Sequence, residues 1–238
     1  INRMKSIFAV TLVSLCLFTQ SARSQGKTEN LILITLDGMR WQEIFGGADS
    51  SLMRQQQHLK DPKLKEKFWR DNQTERRKEL LPFFWTTIIG QGQLYGNRML
   101  GSRVNVTNNQ WFSYPGYNEI LTGKADNENI HSNDKFYNPN TTVLEFINVQ
   151  PDFKGKVAAF SSWDVFPYII NDKRSGVFVS GGMVGATNGK LTEKERTMNE
   201  LMPVLPNPLG AVRLDAFTFQ FGKGYTKKNK PRVMYLSF

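Results

Sequence analysis

Two side chains suited to hydrolytic chemistry stand at the ends of separate segments of this 238-residue chain. Asp37 follows the apolar run 31–36, and Asp-Gly after such a run is typical of the carboxyl end of a buried parallel strand. Ser113 stands two residues before Pro115, at the start of an expected helix. Ligands and metals bind at the carboxyl edge of open parallel sheets. The pair therefore predicts a carboxylate and a nucleophilic hydroxyl in one site.

The hydroxyl of Ser113 needs activation, because serine is a weak nucleophile at neutral pH without a base, a lowered pKa or a metal. The two histidines, His58 and His131, are both distant from Ser113 in sequence, so a Ser-His-Asp triad has little support. A metal ion favours the alkoxide and also polarises a phosphoryl oxygen. The structural alternatives are a helix N-cap for Ser113 and a turn cap for Asp37.

Two longer segments carry a family resemblance. Residues 34–41 read Ile-Thr-Leu-Asp-Gly-Met-Arg-Trp, and residues 112–123 read Phe-Ser-Tyr-Pro-Gly-Tyr-Asn-Glu-Ile-Leu-Thr-Gly. In this order they resemble the alkaline phosphatase superfamily, in particular its nucleotide pyrophosphatase/phosphodiesterase-like and bacterial phosphatase branch. The resemblance extends over residues 30–238.

The resemblance implies an α/β fold with a mostly parallel sheet sandwiched by helices, and a phosphate-ester hydrolase with two divalent metal ions, zinc. It assigns Ser113 as the nucleophile, and Asp37 and Ser113 as metal ligands. In the family an Asn beyond the nucleophile contacts a phosphoryl oxygen. Asn133, twenty residues after Ser113, fits this role best, and Asn138 is the rival. Turn formation is the structural alternative for any Asn of this loop.

The remaining metal ligands of the family are an Asp-x-x-x-His, an Asp-His and a further His. They follow a strand that resembles residues 231–238, where this sequence stops. Two ligands do not hold a catalytic zinc, which typically has three protein ligands. We therefore expect residues 25–238 to be the N-terminal portion of one catalytic domain, inactive on its own.

Two alternative functions stay open. Sulfatases share the fold and a Ser-x-Pro sequence, but their maturation signature has Arg two residues after the proline, where this chain has Tyr117. An exported binding protein that retains the fold without catalysis is the second alternative, and its metal content distinguishes it from the enzyme. The sequence also does not decide whether the substrate is a phosphate monoester or a diester. A monoester carries an extra negative charge, and four basic residues could bind it: Lys173, Arg174, Lys194 and Arg196.

The N-terminus predicts export. Residues 1–24 are expected to be a leader that contains a signal peptide, because the apolar run 7–18 is too short to span a bilayer and small residues precede a cut after Ser24. Lipoprotein anchoring at Cys16 is disfavoured, since Leu15 before it is not small. The expected location is periplasmic or secreted, with no membrane span after cleavage.

Composition fits one sizeable globular α/β domain, with 39% hydrophobic and 22% charged residues. The net charge of +10 is spread along the chain, and its modest concentration at 60–78 is offset by acidic residues, as in a solvated helix. No nucleic-acid-binding motif is found, so the expected partner is a small phosphate ester. Oligomeric state stays open.

The pattern of apolar and turn residues predicts alternating strands and helices, and hence a largely parallel sheet covered on both faces. Strands are expected at 31–37, 93–99, 104–107, 156–161, 177–179 and 233–238. Helices are expected at 40–48, 61–78, 82–89, 115–121, 143–148, from 192 onward, and at 209–221. Residues 126–140 are expected to be a polar loop. Trp163 and Asp164 follow a strand, which predicts that they face the site or pack in the core.

Overall fold

The computed structural model of the protein describes residues 28–55, 61 and 63–238. Residues 32–238 cluster as one unit. The expected leader at 1–24, the lipoprotein cysteine Cys16 and the histidine His58 lie outside the described residues.

Four parallel strands form a single sheet in the order β1-β4-β2-β3. Their bounds are β1 Leu31–Thr35, β2 Val157–Ser161, β3 Phe178–Gly181 and β4 Val233–Ser237. The register pairs Ser161 with both Gly181 and Ser237, so three strands end at the same level. Beside them, Phe238 N–H donates to Thr35 O at 3.0 Å and Phe238 O accepts from Asp37 N–H at 2.8 Å, as parallel neighbours do.

Helices occupy most of the connections between these strands. Their bounds are α1 Trp41–Gly46, α2 Ser50–Arg54, α3 Lys63–Phe68, α4 Gln73–Leu80, α5 Ile89–Gln91, α6 Ser113–Thr122, α7 Val143–Asn148, α8 Phe166–Ile170, α9 Asp172–Ser175, α10 Glu193–Leu201 and α11 Asp215–Asn229. A π-helical turn at Phe84–Ile88 precedes α5, and a 3₁₀ turn follows at Arg98–Leu100. The expected α/β class is therefore observed.

The core consists of two layers, because alternate residues of each central strand face opposite sides of the sheet. On one side Ala159 and Tyr235 pack with the apolar residues of α6, α7 and α8. On the other side Ala158, Phe160 and Met234 pack with those of α10 and α11. Helices thus cover both faces of the central strands.

Strand β1 is less buried than expected. Leu33 packs against the core beside α6, but Ile32, Ile34 and Leu36 point to the other side and are more than half exposed. The reason is the position of β1 at the edge of the sheet, since helix α11 lies over β2 and β4. The prediction of a buried strand is wrong for this face.

The strands expected at 93–99 and 104–107 do not form. Alternating Val104 and Val106 resemble a strand, but both side chains are more than half exposed and the segment lies outside the sheet. Instead of a neighbouring strand, the Glu119 carboxylate accepts the backbone N–H groups of Thr107 and Asn108. The β-branched pattern here reflects an extended loop tied to α6.

Several helix predictions needed correction. The charged segment 61–78 contains two helices, because Asn72 accepts the N–H groups of Thr74 and Glu75 and starts α4 anew. In the helical segment that follows, Trp85 packs on α1, where its Nε1 donates to Ile44 O and its ring lies edge-on to Phe45.

The last helix starts at Asp215 rather than at residue 209. Asn207 Nδ2 donates to the carbonyl oxygens of Gly210 and Val212, and these bonds hold the preceding residues in turns. The helix expected from residue 192 onward is observed as α10, and a capping box of Thr192 and Glu195 starts it.

Candidate functional site

A cleft of about 220 Å³ lies at the carboxyl edge of the sheet, where β1, β2 and β4 end beside the first turn of α6. The residues that line it come from all four elements and the loops between them: Asp37, Ser113, Tyr117, Asn133, Ser161, Ser162, Trp163, Val212, Ser237 and Phe238. The three predicted site residues Asp37, Ser113 and Asn133 are therefore brought into one cleft. This is the edge at which open parallel sheets bind ligands.

Ser113 is the first residue of α6, because the helix starts two residues before the expected start at Pro115. The N-cap is Phe112, with φ −121° and ψ 157°, and it makes no capping bond through its side chain. Among the described residues, no hydrogen bond engages the Ser113 hydroxyl. The helix-capping alternative is thus not observed, and the hydroxyl lies uncommitted in the cleft at the positive end of the helix dipole.

Asn133 is fixed by the same helix end. Its Oδ1 accepts the Tyr114 N–H at 3.0 Å, so one of the free N–H groups of the first turn is satisfied from the loop. Since Oδ1 is the acceptor, Nδ2 is left as a donor, and no partner for it is found in the part of the chain that the structure describes. The amide of Asn133 is therefore held through its Oδ1 by the backbone of α6, and its Nδ2 remains a free N–H donor at the cleft.

Asp37 lies just beyond β1 and its backbone N–H is held by Phe238 O. Gly38, with φ +76°, turns the chain away directly after it, a conformation that favours glycine. Tyr117 of α6 faces the same cleft and accepts a hydrogen bond from Ser237 Oγ at 3.1 Å. Burial raises the pKa of Tyr117 to about 12, and the charge of Asp37 adds to the rise. Tyr117 is consequently a neutral wall of the cleft.

A buried polar cluster supports the floor of the cleft behind Ser162. The Ser162 hydroxyl donates to Asp215 Oδ1 at 2.6 Å and lies 2.8 Å from Thr218 Oγ1. Arg213 Nε donates to the same Thr218 oxygen, and its other nitrogens donate to oxygens of Ser180 and to a backbone carbonyl. Burial lowers the pKa of Arg213 to about 10. The guanidinium is thereby locked in place by neutral oxygens.

The segment that leads into Ser113 is held against its own helix. The Glu119 carboxylate of α6 accepts four hydrogen bonds, two from Thr107 and two from Asn108. Beyond them Trp111 has φ +53° and its side chain is 97% exposed. The extended backbone of Phe112 then starts the helix. This tether fixes where the chain enters the site.

Several other candidates lie elsewhere. Asn138 is buried, and its Nδ2 donates to Asn118 Oδ1 and Ile169 O, which is a structural role. His131 is exposed and stacks near Phe136, outside the cleft. The basic residues considered for a monoester charge line other surfaces: Arg174 pairs with Glu145, Lys173 lies over Tyr137, Lys194 donates to Gln220, and Arg196 donates to Leu191 O.

Trp163 lines the cleft and its ring centroid lies 6.5 Å from that of Tyr117. Asp164 forms an ion pair with Lys135 and does not line the cleft. Trp163 thus lies at the site and against the core, as its position after β2 predicted, whereas Asp164 takes neither role.

The residues predicted as metal ligands are two of those that line the cleft. Asp37 and Ser113 are oxygen donors in the same cleft. Within residues 28–55, 61 and 63–238, no group of three or more His, Cys, Asp or Glu side chains is arranged to hold a metal ion. Catalytic zinc sites typically have three protein ligands. The two residues predicted as metal ligands therefore lie in one cleft, and they are fewer than the three protein ligands typical of a catalytic zinc.

Sequence reasoning missed the hydroxyl-rich wall formed by Ser161, Ser162 and Ser237. The signal was present in the run Ser-Ser after one expected strand and in the serine near the end of another. Parallel pairing brings such strand ends together, as the match of Ser161 with Ser237 illustrates. The contribution of Tyr117 had no comparable signal, because it depends on which face of α6 meets the sheet.

Comparisons with protein-family models, with curated proteins and with solved structures find no match to this chain. In the part of the chain that the structure describes, no helix is both long and apolar enough to cross a membrane.

Proposed function

We propose that this protein is an exported phosphate-ester hydrolase in which Ser113 is the nucleophile. The observation that carries the proposal is the uncommitted Ser113 hydroxyl, which lies at the first turn of α6 in the same cleft as Asp37 and Asn133. The resemblance of both flanking segments to the alkaline phosphatase superfamily agrees with it. A mostly parallel α/β sheet supports the class of fold but does not by itself select this chemistry.

The geometry suits an anionic substrate. The first backbone N–H groups of α6 and the positive end of its dipole attract a phosphoryl oxygen to the position of the Ser113 hydroxyl. The Nδ2 of Asn133 donates to charge that develops on a second oxygen, which is the transition-state role of such donors. Tyr117 and Trp163 form the neutral side of the cleft.

The proposed reaction has two displacements at phosphorus. Ser113 Oγ bonds to phosphorus while the ester oxygen departs, and the serine proton ends on the alcohol that leaves. Water then attacks the phosphoseryl group from the opposite side, which frees phosphate and restores the hydroxyl. Both steps need a stabilised anion rather than a change of redox state.

Two zinc ions belong to the proposal, with Asp37 and Ser113 as the residues of this chain that would hold them. When bound, a divalent ion favours the deprotonated hydroxyl and neutralises phosphoryl charge. Among the described residues, no group of three or more His, Cys, Asp or Glu side chains completes such a site. Export is proposed as well, on the basis of the expected signal peptide at 1–24.

The test compares Ser113→Ala with the native protein, both expressed from the complete reading frame and supplied with zinc. Turnover of 4-nitrophenyl phosphate and of its bis-ester should fall by about 10³-fold or more. Ser50→Ala, at the first residue of the separate helix α2, should retain full turnover. Equal turnover in the native protein and Ser113→Ala would refute the nucleophile. Turnover of 4-nitrophenyl sulfate in preference to the phosphates would favour the sulfatase alternative.

A further inference from the structure

A second concave surface lies between α10 and α11, on the side of the sheet formed by Phe160 and Met234. Its volume is about 530 Å³, within the range of about 300–1,000 Å³ typical of small-molecule sites. It shares no lining residue with the Ser113 cleft. We call it the lysine groove, because five of its ten lining residues are Lys190, Lys194, Lys223, Lys227 and Lys228.

The charge of the lysine groove is unbalanced. None of its five lysines belongs to an ion pair among the described residues. Glu195 is the one acidic lining residue, and its Oε2 accepts the Thr192 N–H at 2.7 Å and the Thr192 hydroxyl at 2.9 Å. This carboxylate is thus committed to the capping box of α10. An excess of positive charge faces the groove and favours an anion.

Some of these ammonium groups are free to bind. Lys194 donates to Gln220 Oε1 at 2.6 Å and Lys228 to Lys190 O at 2.8 Å, so both are positioned by neutral oxygens. In the described part of the chain, the ammonium group of Lys227 has neither a hydrogen bond nor an ion pair. Lys223 has a ring contact, 5.6 Å from the centroid of Phe219. Lys223 and Lys227 are four residues apart and share one face of α11.

The floor of the lysine groove is apolar. Met198 of α10 is 8% exposed and lines it from below. Gly224 opens it on the α11 side, and a Cβ at this position would meet only Glu195 Oε1, at 3.5 Å. Lysine side chains commonly pack their methylene stems along apolar surface and keep their charges in water, which suits lysines that line such a groove. A ligand with an apolar body and an anionic head matches this arrangement.

We propose that the lysine groove is a binding site for a soluble anionic amphiphile, a molecule with one phosphate or carboxylate head and an acyl or aryl body. The head bonds to Lys223 and Lys227 at the rim, and the body lies over Met198 and Gly224. A single molecule is favoured over a bilayer surface, because the groove is a concavity of about 530 Å³, the size of a small-molecule site.

The experiment titrates dodecanoate, a carboxylate that is not a phosphate ester, below its micelle concentration into the full chain and follows the heat of binding. One saturable site is expected. The variant with Lys223→Glu and Lys227→Glu should bind about tenfold more weakly or worse. A matched variant with Lys124→Glu and Lys154→Glu has the same change of net charge on exposed residues away from the groove and should change affinity less than about twofold.

A second variant tests the floor without altering charge. Gly224→Leu fills the groove from α11 and should reduce the affinity for dodecanoate, with an unchanged circular dichroism spectrum as evidence of folding. Equal affinity in the native chain and either groove variant would overturn the site. Acetate that binds as tightly as dodecanoate would show that the groove does not recognise an apolar body and would overturn that part of the proposal.

Binding to phosphatidylglycerol vesicles without binding to the monomeric amphiphile would overturn the choice of a soluble ligand. These measurements record binding rather than turnover, so they fail independently of the hydrolase proposal.

Discussion

The residue at which α6 begins decides what the Ser113 hydroxyl can do. Had the helix started at Pro115, Ser113 would have stood outside it, where serine commonly caps a free N–H. The helix starts at Ser113 itself, and the Tyr114 N–H is satisfied by Asn133 instead. The sequence identified Ser113 and Asn133 as candidates from their types and spacing. It did not predict that Asn133 would accept the Tyr114 N–H and so leave the Ser113 hydroxyl without a capping bond, since that depends on how the polar loop folds back.

The double role of Asn133 leads to a residue-scale prediction. Asn133→Ala removes the Nδ2 donor and leaves the Tyr114 N–H without its acceptor. We expect kcat for phosphate-ester hydrolysis to fall by roughly 10²–10³-fold, the usual effect of losing one transition-state donor. Steady-state kinetics of the protein expressed from its complete reading frame measure this.

Asn127 supplies the matched control. Its Oδ1 accepts the Asn109 N–H at 3.1 Å, a bond of the same kind, but the residue does not line the cleft. Asn127→Ala should leave kcat within about twofold of the native value. A loss as large as that of Asn133→Ala would mean that loop anchoring, and not a donor at the cleft, explains the effect.

At the scale of elements, α6 and the extended loop before it act as one piece. The alternating valines of this loop predicted a strand that does not form. A strand needs a neighbour for its backbone groups, and this loop finds that neighbour in the Glu119 side chain of α6. Local pattern cannot reveal a backbone partner that is a side chain twelve residues away.

Glu119 gives this tether a pH dependence. Partial burial raises the pKa of its carboxyl, but the hydrogen bonds from Asn108 and Thr107 outweigh burial and lower the pKa to about 2. The ordinary value is 4.5, so the folded state favours the carboxylate. The stabilisation is complete above about pH 4.5 and is lost as the pH falls toward 2.

Glu119→Gln should therefore lower the free energy of unfolding at pH 7 by about 1–2 kcal/mol, allowing for solvent screening of a partly exposed group. The difference from the native protein should shrink toward zero as the pH falls from 4.5 to 2. Urea unfolding at several pH values measures it. Glu128→Gln, at an exposed carboxylate, serves as the control. A difference that stays constant with pH would contradict the assignment to the charged form.

For the whole molecule, sequence pattern predicted the class of fold and the sheet edge that holds the cleft. The apolar run that ends in Asp-Gly predicted a parallel strand and its carboxyl end. The order of the strands was not predictable, and it is the order that leaves one face of β1 exposed. Strand order depends on long-range packing, for which a single sequence carries little local signal.

The two-layer core predicts that an Ile→Ala substitution lowers the free energy of unfolding by different amounts at two positions. Ile169 of α8 is completely buried, whereas Ile34 of β1 is 56% exposed. Ile169→Ala should cost about 2–5 kcal/mol of unfolding free energy, and Ile34→Ala less than about 1 kcal/mol. Denaturant titration of both variants checks this. Equal losses would mean that the outer face of β1 is buried in solution.

The most direct test of the central claim is a search for the covalent intermediate. The protein expressed from its complete reading frame is incubated with zinc and 4-nitrophenyl phosphate, quenched in acid, digested and analysed by mass spectrometry. The proposed mechanism predicts phosphate on Ser113, and none in the corresponding peptide of Ser113→Ala. Turnover that proceeds without phosphate on Ser113, or with phosphate on another residue, would contradict the assignment of the nucleophile.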